Sequence, residues 1–280
     1  MTVADRLSDA ESRARRAGSD ATVWDARLLL AHAVGHDKPL ALDPRGDVPA
    51  GAASRFEDLW ERRIAGVPVQ HLVGEWDFFG RPFSVDSRAL VPRPETELVV
   101  ETALAEAPEA RCILDLGTGS GILAVTWLLE RPESRAVAVD ASSDALALAR
   151  RNAARHGVLG RLSFAAADWT SALASGAAFD LAISNPPYLA VGEAAGLSVT
   201  VRDHDPAVAL YAGKDGLDAI RRLLSDLPSH LAPGAPFLFE IGSGQAEAVE
   251  REVSARPAWR FERIVPDLAG IPRVAVLRRA

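Results

Sequence analysis

From Arg111 onward the chain alternates short apolar runs with longer amphipathic stretches, and this rhythm restricts the fold more than any other property of the sequence. Cys112-Ile113-Leu114, Ala136-Val137-Ala138-Val139, Leu162-Ser163-Phe164-Ala165 and Phe179-Asp180-Leu181-Ala182-Ile183 read as buried strands. Gly121 to Glu130 and Ser143 to His156 read as the helices between them. Strand–helix–strand units of this length lay successive strands parallel, so an α/β architecture with a mostly parallel sheet is expected. After a long loop, Gly216 to Leu231 and Gln245 to Ala255 read as helices and Pro236 to Ile241 as a strand, and Trp259 to Val265 pairs with Val274 to Leu277. Seven strands result.

The first part of the chain has a different period. Val3, Leu7 and Ala10 recur at helical spacing, as do Trp24, Leu28, Leu29 and Ala31, and later Phe56, Leu59, Trp60 and Ile64. Gly18-Ser19-Asp20 and Gly35-His36-Asp37 separate the helices. With 280 residues, 48% of them hydrophobic, the chain is long enough for this small helical domain beside a full α/β domain. The expected division is a helical domain over 1–72, for substrate recognition or as a stabilising cap, a hairpin linker over 73–92 carrying Trp76, Phe78, Phe79 and Phe83, and an α/β domain over 93–280.

Ligand-binding residues are expected where the strands end. Asp115-Leu116-Gly117-Thr118-Gly119-Ser120-Gly121 is a glycine turn between a strand and a helix, which lets a ligand approach the backbone closely. Its spacing is Gly-x-Gly-x-Gly, a poor match to the dinucleotide pattern, so a nicotinamide oxidoreductase is disfavoured. Asp140 ends the next strand and can accept hydrogen bonds from both hydroxyls of a ribose. Asp168 and Trp169 end the third, where a carboxylate can accept from an adenine amino group and an indole can pack on its ring. Each acid alone reads more often as a cap or turn residue. Together, at consecutive strand ends, they point to one nucleoside-bearing ligand.

The fourth strand ends in Asn185-Pro186-Pro187-Tyr188. Asn185 and Pro186 each precede a proline, which biases both to extended backbone, and neither proline has an N–H. The loop is stiff and rich in acceptors. The Asn185 side-chain carbonyl and the Pro186 backbone carbonyl can accept both hydrogens of a planar NH2 group, and Tyr188 offers a flat face to stack on it. A plain proline-stiffened turn is the alternative.

Composition narrows the function classes. The formal net charge of −7 argues against a broad electrostatic grip on nucleic acid. Cys112 is the only cysteine, which excludes an internal disulfide and a thiolate metal cluster and fits a reducing, cytoplasmic setting. Met1 to Arg16 carries scattered charge and no apolar signal core, and no stretch approaches a membrane span.

Taken together, Asp115 to Gly121, Asp140 and Asp168 resemble the S-adenosylmethionine site of class I methyltransferases, and Asn185 to Tyr188 resembles the loop of those that act on planar nitrogens. The flanks are similar to the PrmC/HemK family of protein-(glutamine-N5) methyltransferases. These are Leu90-Val91-Pro92-Arg93-Pro94-Glu95-Thr96-Glu97, the preceding segment from Gly74 to Val85, and Asp205-Pro206-Ala207-Val208-Ala209-Leu210 running on to Leu217. The resemblance spans nearly the whole chain, with Asp205 where the family usually has Glu.

It implies a class I, Rossmann-like methyltransferase fold, S-adenosyl-L-methionine as cofactor with S-adenosyl-L-homocysteine as product, and class I peptide chain release factors as protein partners through the glutamine of their Gly-Gly-Gln motif. It places Gly117, Thr118, Gly119, Ser120, Gly121, Asp140, Asp168, Trp169 and Asn185 on the cofactor. Asn185, Pro186, Pro187 and Tyr188 fall on the glutamine, with Asn185 and Pro186 catalytic. No metal, no direct nucleic-acid contact and a monomer are expected. An adenine amino-group methyltransferase and a non-catalytic scaffold of the same fold are the alternatives.

Overall fold

The computed structural model of the protein describes residues 1–36, 38–174, 176 and 178–280, so the predicted turn at Gly35-His36-Asp37 lies partly outside the described residues. The chain divides into two compact units: residues 1–76 with 196–205, and residues 77–195 with 206–280.

In the first unit, Thr2 and Thr22 each open a helix with a capping box. The threonine oxygen accepts from the backbone N–H of Asp5 or Asp25, and that aspartate accepts from the threonine N–H. Helices α1 (Val3–Ala17) and α2 (Val23–Val34) end at Gly18 and Gly35, both in the left-handed conformation that closes a helix. With α3 (Ala50–Ile64) and α4 (Val69–Val73) they enclose a core of Leu7, Ala10, Leu29, Leu30, Phe56 and Trp60. Trp24, expected on the apolar face, is 46% exposed, because the buried stripe of α2 runs instead through Ala26, Leu29, Leu30 and Ala33.

The interruption of this unit by residues 196–205 has no counterpart in the hydrophobic pattern. That segment contains one short helix, Val199–His204. Arg63, only 6% exposed, meets Asp25 at 3.1 Å and Asp20 at 2.9 Å. Thr200 donates to Asp20 at 3.0 Å, so a hydrogen bond at the surface ties the segment to the acids that hold buried Arg63.

The hairpin of β1 (Glu75–Phe78) and β2 (Arg81–Ser84) packs Phe78 against Phe83 edge to face, and the division between the units falls within β1. Helix α5 (Glu97–Glu106) leads into the strand–helix alternation: β3 (Cys112–Leu116), α6 (Ile122–Glu130), β4 (Arg135–Asp140), α7 (Ser143–Arg155), β5 (Leu162–Ala166) and β6 (Leu181–Ser184). The short helix of the inserted segment, α8 (Val199–His204), is followed by α9 (Ala207–Leu210), α10 (Asp218–Asp226), β7 (Pro236–Glu240), α11 (Ala246–Ser254), β8 (Trp259–Pro266) and β9 (Pro272–Arg279). The seven strands run β5-β4-β3-β6-β7-β9-β8, parallel except where β9 pairs with β7 and β8.

Alternation along each strand builds the core on both faces of the sheet. Ile113, Leu238, Val274 and Val276 join α5 and α6 on one side. Leu114, Leu116, Phe237, Phe239 and Leu277 join α10 and α11 on the other. From β3 the chain passes to β4 on one side and returns later to β6 on the other. The crevice outside the carboxyl ends of β3 and β6 is therefore the topological switch point, where open α/β sheets bind ligands.

Candidate active site

Two cavities open at that switch point, and Gly117 and Asn185 line both. The first has a cavity volume of about 130 Å³ and is bounded by Asp140, Ala141, Asp168, Trp169, Pro187, Val208 and Ala209. The second is lined by Pro92, Arg93, Thr96, Thr118, Gly119 and Ser120 among others. Nine of the twelve residues singled out from the sequence thus fall on these walls, and Pro186 lies in the chain between two of them. Gly121 and Tyr188 are turned to other work.

The glycine turn is folded back on its own scaffold. Gly117 and Thr118 donate their backbone N–H groups to the Val139 carbonyl at 2.9 and 3.0 Å, and Gly121 donates to the Thr118 carbonyl. Gly119 donates to Asp140 Oδ2 at 2.8 Å. These groups are spent inside the fold and do not form an anion cradle, which separates the turn from phosphate-binding loops. Gly117 and Gly119 have φ of +70° and +56°, and a Cβ at Gly117 would lie 3.5 Å from the Trp169 ring. At Gly121 the constraint comes from packing, since a Cβ there would sit 3.0 Å from Ala149 of α7. Asn152 of α7 clamps the turn from below by donating to the Ser120 and Ser84 carbonyls while accepting from the Ser84 N–H.

The acids at the strand ends differ sharply. Asp140 accepts from Gly119 through one oxygen and from the Ser142 N–H at 2.9 Å through the other, which aims the carboxylate and leaves a lone pair on each oxygen. Asp168 is exposed, and Trp169 beside it holds φ at +50°, an uncommon backbone state for a bulky residue and the kind of local strain found at ligand sites. Asp115 is fully buried. Its Oδ2 accepts from the Thr118 hydroxyl at 2.6 Å and the Ala124 N–H at 3.1 Å, while Oδ1 has no partner among the described residues. Burial pushes its carboxyl up to about 7, with the two hydrogen bonds opposing and the charge of Asp140 reinforcing.

These walls fit S-adenosylmethionine. The first cavity offers two carboxylates and an indole and no basic side chain, which suits an uncharged nucleoside and would repel a pyrophosphate. The Gly117 surface lets the backbone lie against it.

The loop after β6 is braced from three directions. Leu189 donates to the Leu210 carbonyl and Ala212 donates back to Leu189, both at 2.9 Å, which explains why the stretch from Pro206 to Leu217 accompanies it. Gln245 donates to the Tyr188 carbonyl at 2.9 Å and accepts from the Gly242 N–H at 2.8 Å. Gly216 is obligatory, since a Cβ there would lie 2.2 Å from the Tyr188 carbonyl oxygen. Pro186 is buried. The Asn185 amide donates through Nδ2 to the Thr96 hydroxyl at 3.1 Å, and Thr96 donates in turn to Glu240 at 2.6 Å. Tyr188 turns its hydroxyl inward to the same Glu240 at 3.3 Å, and burial together with that carboxylate raises its phenol far above the ordinary range. Burial also pushes the Glu240 carboxyl up, while the two hydroxyls and the charge of Arg273 pull it down.

Thr96, Glu240, Gln245 and Gly216 were not singled out in the sequence. Glu240 carries a readable signal, an acid closing the otherwise apolar run Pro236-Phe237-Leu238-Phe239. The other three act through partners tens of residues away.

Comparison with known proteins agrees with this geometry. The family described as Methyltransferase small domain matches residues 94–202, and the PrmC N-terminal domain family matches residues 5–74. A methyltransferase from Pyrococcus furiosus shares the fold at a TM-score of 0.53 and 16% identity, over 81% of this chain and 98% of that one. The release factor glutamine methyltransferase of Deinococcus radiodurans is 40% identical over 100% of this chain and 99% of its own. That of Cereibacter sphaeroides is 46% identical over 99% of both. With relatives this similar from end to end, the chain belongs to the release factor glutamine methyltransferase family.

Proposed function

We propose that the protein methylates the side-chain amide nitrogen of the glutamine in the Gly-Gly-Gln motif of class I peptide chain release factors, with S-adenosylmethionine as donor and S-adenosylhomocysteine as product. The observation that carries this reading is the state of Asn185. It borders both cavities, and its NH2 is committed to Thr96, so its carbonyl remains as an acceptor.

Asp140 and Asp168 would hold the ribose hydroxyls and the adenine amino group, Trp169 would cover the ring, and the turn from Gly117 to Gly121 would carry the rest of the molecule. When bound, the cofactor supplies a methyl group made electrophilic by its sulfonium. The residues of this chain supply orientation. An amide nitrogen is a weak nucleophile because its lone pair is delocalised into the carbonyl. The Asn185 Oδ1 and the Pro186 carbonyl would accept its two N–H hydrogens, fix its plane and favour the positive charge that grows on nitrogen as the bond forms. Well-oriented reactants gain about 7–11 kcal/mol over free ones, so a stiff diproline loop matters more than a strong base. Tyr188 is not that base, because its phenol stays protonated and donates to Glu240. The nitrogen proton leaves to solvent.

The helical unit would bind the body of the release factor, in a monomeric enzyme that works in the cytoplasm without gripping nucleic acid. The net charge of −7 supports the last point. Among the described residues no helix is long and apolar enough to cross a membrane.

Two variants separate the two halves of the site. Asn185→Ala should lower kcat by about 10²-fold or more while S-adenosylmethionine binding, measured by titration calorimetry, stays within about threefold. Asp140→Ala should weaken that binding by about tenfold or more, because a charged acceptor is lost. Near wild-type turnover in the first, or unchanged cofactor affinity in the second, would remove the role assigned to that residue.

A further inference from the structure

We infer that Glu240, acting through Thr96, fixes the direction of the Asn185 amide and so makes the site select an amide over a carboxylate. The inference rests on the reading that Asn185 meets the substrate side chain. Glu240 closes β7 and is 2% exposed. Each of its carboxylate oxygens takes one hydroxyl: Oε2 accepts from Thr96 at 2.6 Å and Oε1 from Tyr188 at 3.3 Å. Both ends of the loop from Asn185 to Tyr188 therefore terminate on one buried acid.

The donors and acceptors allow one direction only. Both Glu240 oxygens act as acceptors, Oε2 from Thr96 and Oε1 from Tyr188, so the single Thr96 proton is spent on Glu240. The Thr96 oxygen then has only lone pairs to present to Asn185, and it accepts from Nδ2 at 3.1 Å. The Asn185 carbonyl is left on the other arm of the amide. A glutamine amide brings N–H groups to that carbonyl, whereas a glutamate carboxylate brings only acceptors. Sites built on such complementarity reject the mismatched group strongly, because a buried polar atom is left unpaired. Without the Thr96 hydroxyl the two faces of the Asn185 amide become nearly equivalent. Once turned over, its NH2 would welcome a carboxylate and oppose an amide. Thr96 and Glu240 are positioning residues, for they act on the substrate only through Asn185.

The sequence makes a direct test possible, since Asn152 and Asn185 are the only asparagines. The full-length protein labelled with 15N-asparagine should show two side-chain NH2 pairs. The Asn152 pair, bonded to the Ser84 and Ser120 carbonyls, reports that the fold is intact. In Thr96→Val the Asn185 pair should shift and exchange with solvent about tenfold faster or more, while the Asn152 pair stays in place and Thr96→Ser keeps both. An unmoved Asn185 pair in Thr96→Val would overturn the inference.

The second arm measures methylation of a release factor against the same protein carrying Gly-Gly-Glu as competitor. Thr96→Val should lose about 10- to 100-fold in kcat and become at least about tenfold more sensitive to the competitor, and Thr96→Ser should recover wild-type behaviour. Unchanged kcat and unchanged discrimination in Thr96→Val would equally overturn it. A wild-type enzyme that methylates no glutamine would instead refute the proposed function, and the resonances of Asn185 would still report on the relay.

Discussion

At the scale of single residues, Asp115 shows how the site handles charge. Its carboxyl is pushed up to about 7 by burial, far above the 3.8 of an unfolded chain. Between those two values the folded protein holds a proton that the unfolded chain has released, so stability falls as pH rises from about 4 to about 7 and levels off above. Asp115→Asn keeps the shape of the side chain and removes the titration. Its stability relative to wild type should rise across that window by at most about 4 kcal/mol, the equivalent of the full shift. Urea denaturation of both proteins at pH 4.5 and pH 7.5 would measure it, and a difference that does not change with pH would show that the acid is solvated in the folded state.

The same scale shows what the sequence discloses. Asp140, Asp168, Trp169 and Asn185 were readable because each ends a strand, and strand ends in a parallel sheet converge on one crevice. The pairing of Thr96 with Glu240 was not, since a hydroxyl and an acid 144 residues apart in the chain reveal nothing of their bond. Tyr188 was read as a stacking platform. Its hydroxyl bond to Glu240 shows that it also anchors the loop.

At the scale of elements, periodicity located all seven strands, because each is a short apolar run bounded by turns. It did not reveal that residues 196–205 belong with the helical unit. That stretch is too short and too polar to carry a pattern, and it is tied on by the Thr200 hydroxyl of α8, which hydrogen-bonds into an ion cluster where Arg63 from α3 faces Asp25 from α2 and Asp20 from the turn before it. A buried ion pair contributes little net stability when complete, but removing one partner strands the other charge. Arg63→Ala should therefore cost about 3–5 kcal/mol in chemical denaturation. Hydrogen exchange should accelerate in α2, α3 and α8 together. A loss below about 1 kcal/mol would mean that water already screens the cluster.

For the whole molecule, the proposed reading gives the glycine turn and the strand-end acids the methyl donor, and the Asn-Pro-Pro-Tyr loop a planar nitrogen as acceptor. The loop alone does not separate a glutamine amide from an adenine amine, because both present the same NH2 geometry. That distinction came from the segments around it, and two of them act on the loop directly. Thr96, in the stretch from Leu90 to Glu97, holds Asn185, and Leu210, Ala212 and Gly216 confine the loop. The measurement that bears most directly on the account is mass spectrometry of a class I release factor incubated with the purified protein and isotope-labelled S-adenosylmethionine. One labelled methyl group on the glutamine of Gly-Gly-Gln, absent with Asn185→Ala, is the predicted result. An unmodified glutamine, with the label found on nucleic acid or on no acceptor at all, would contradict it.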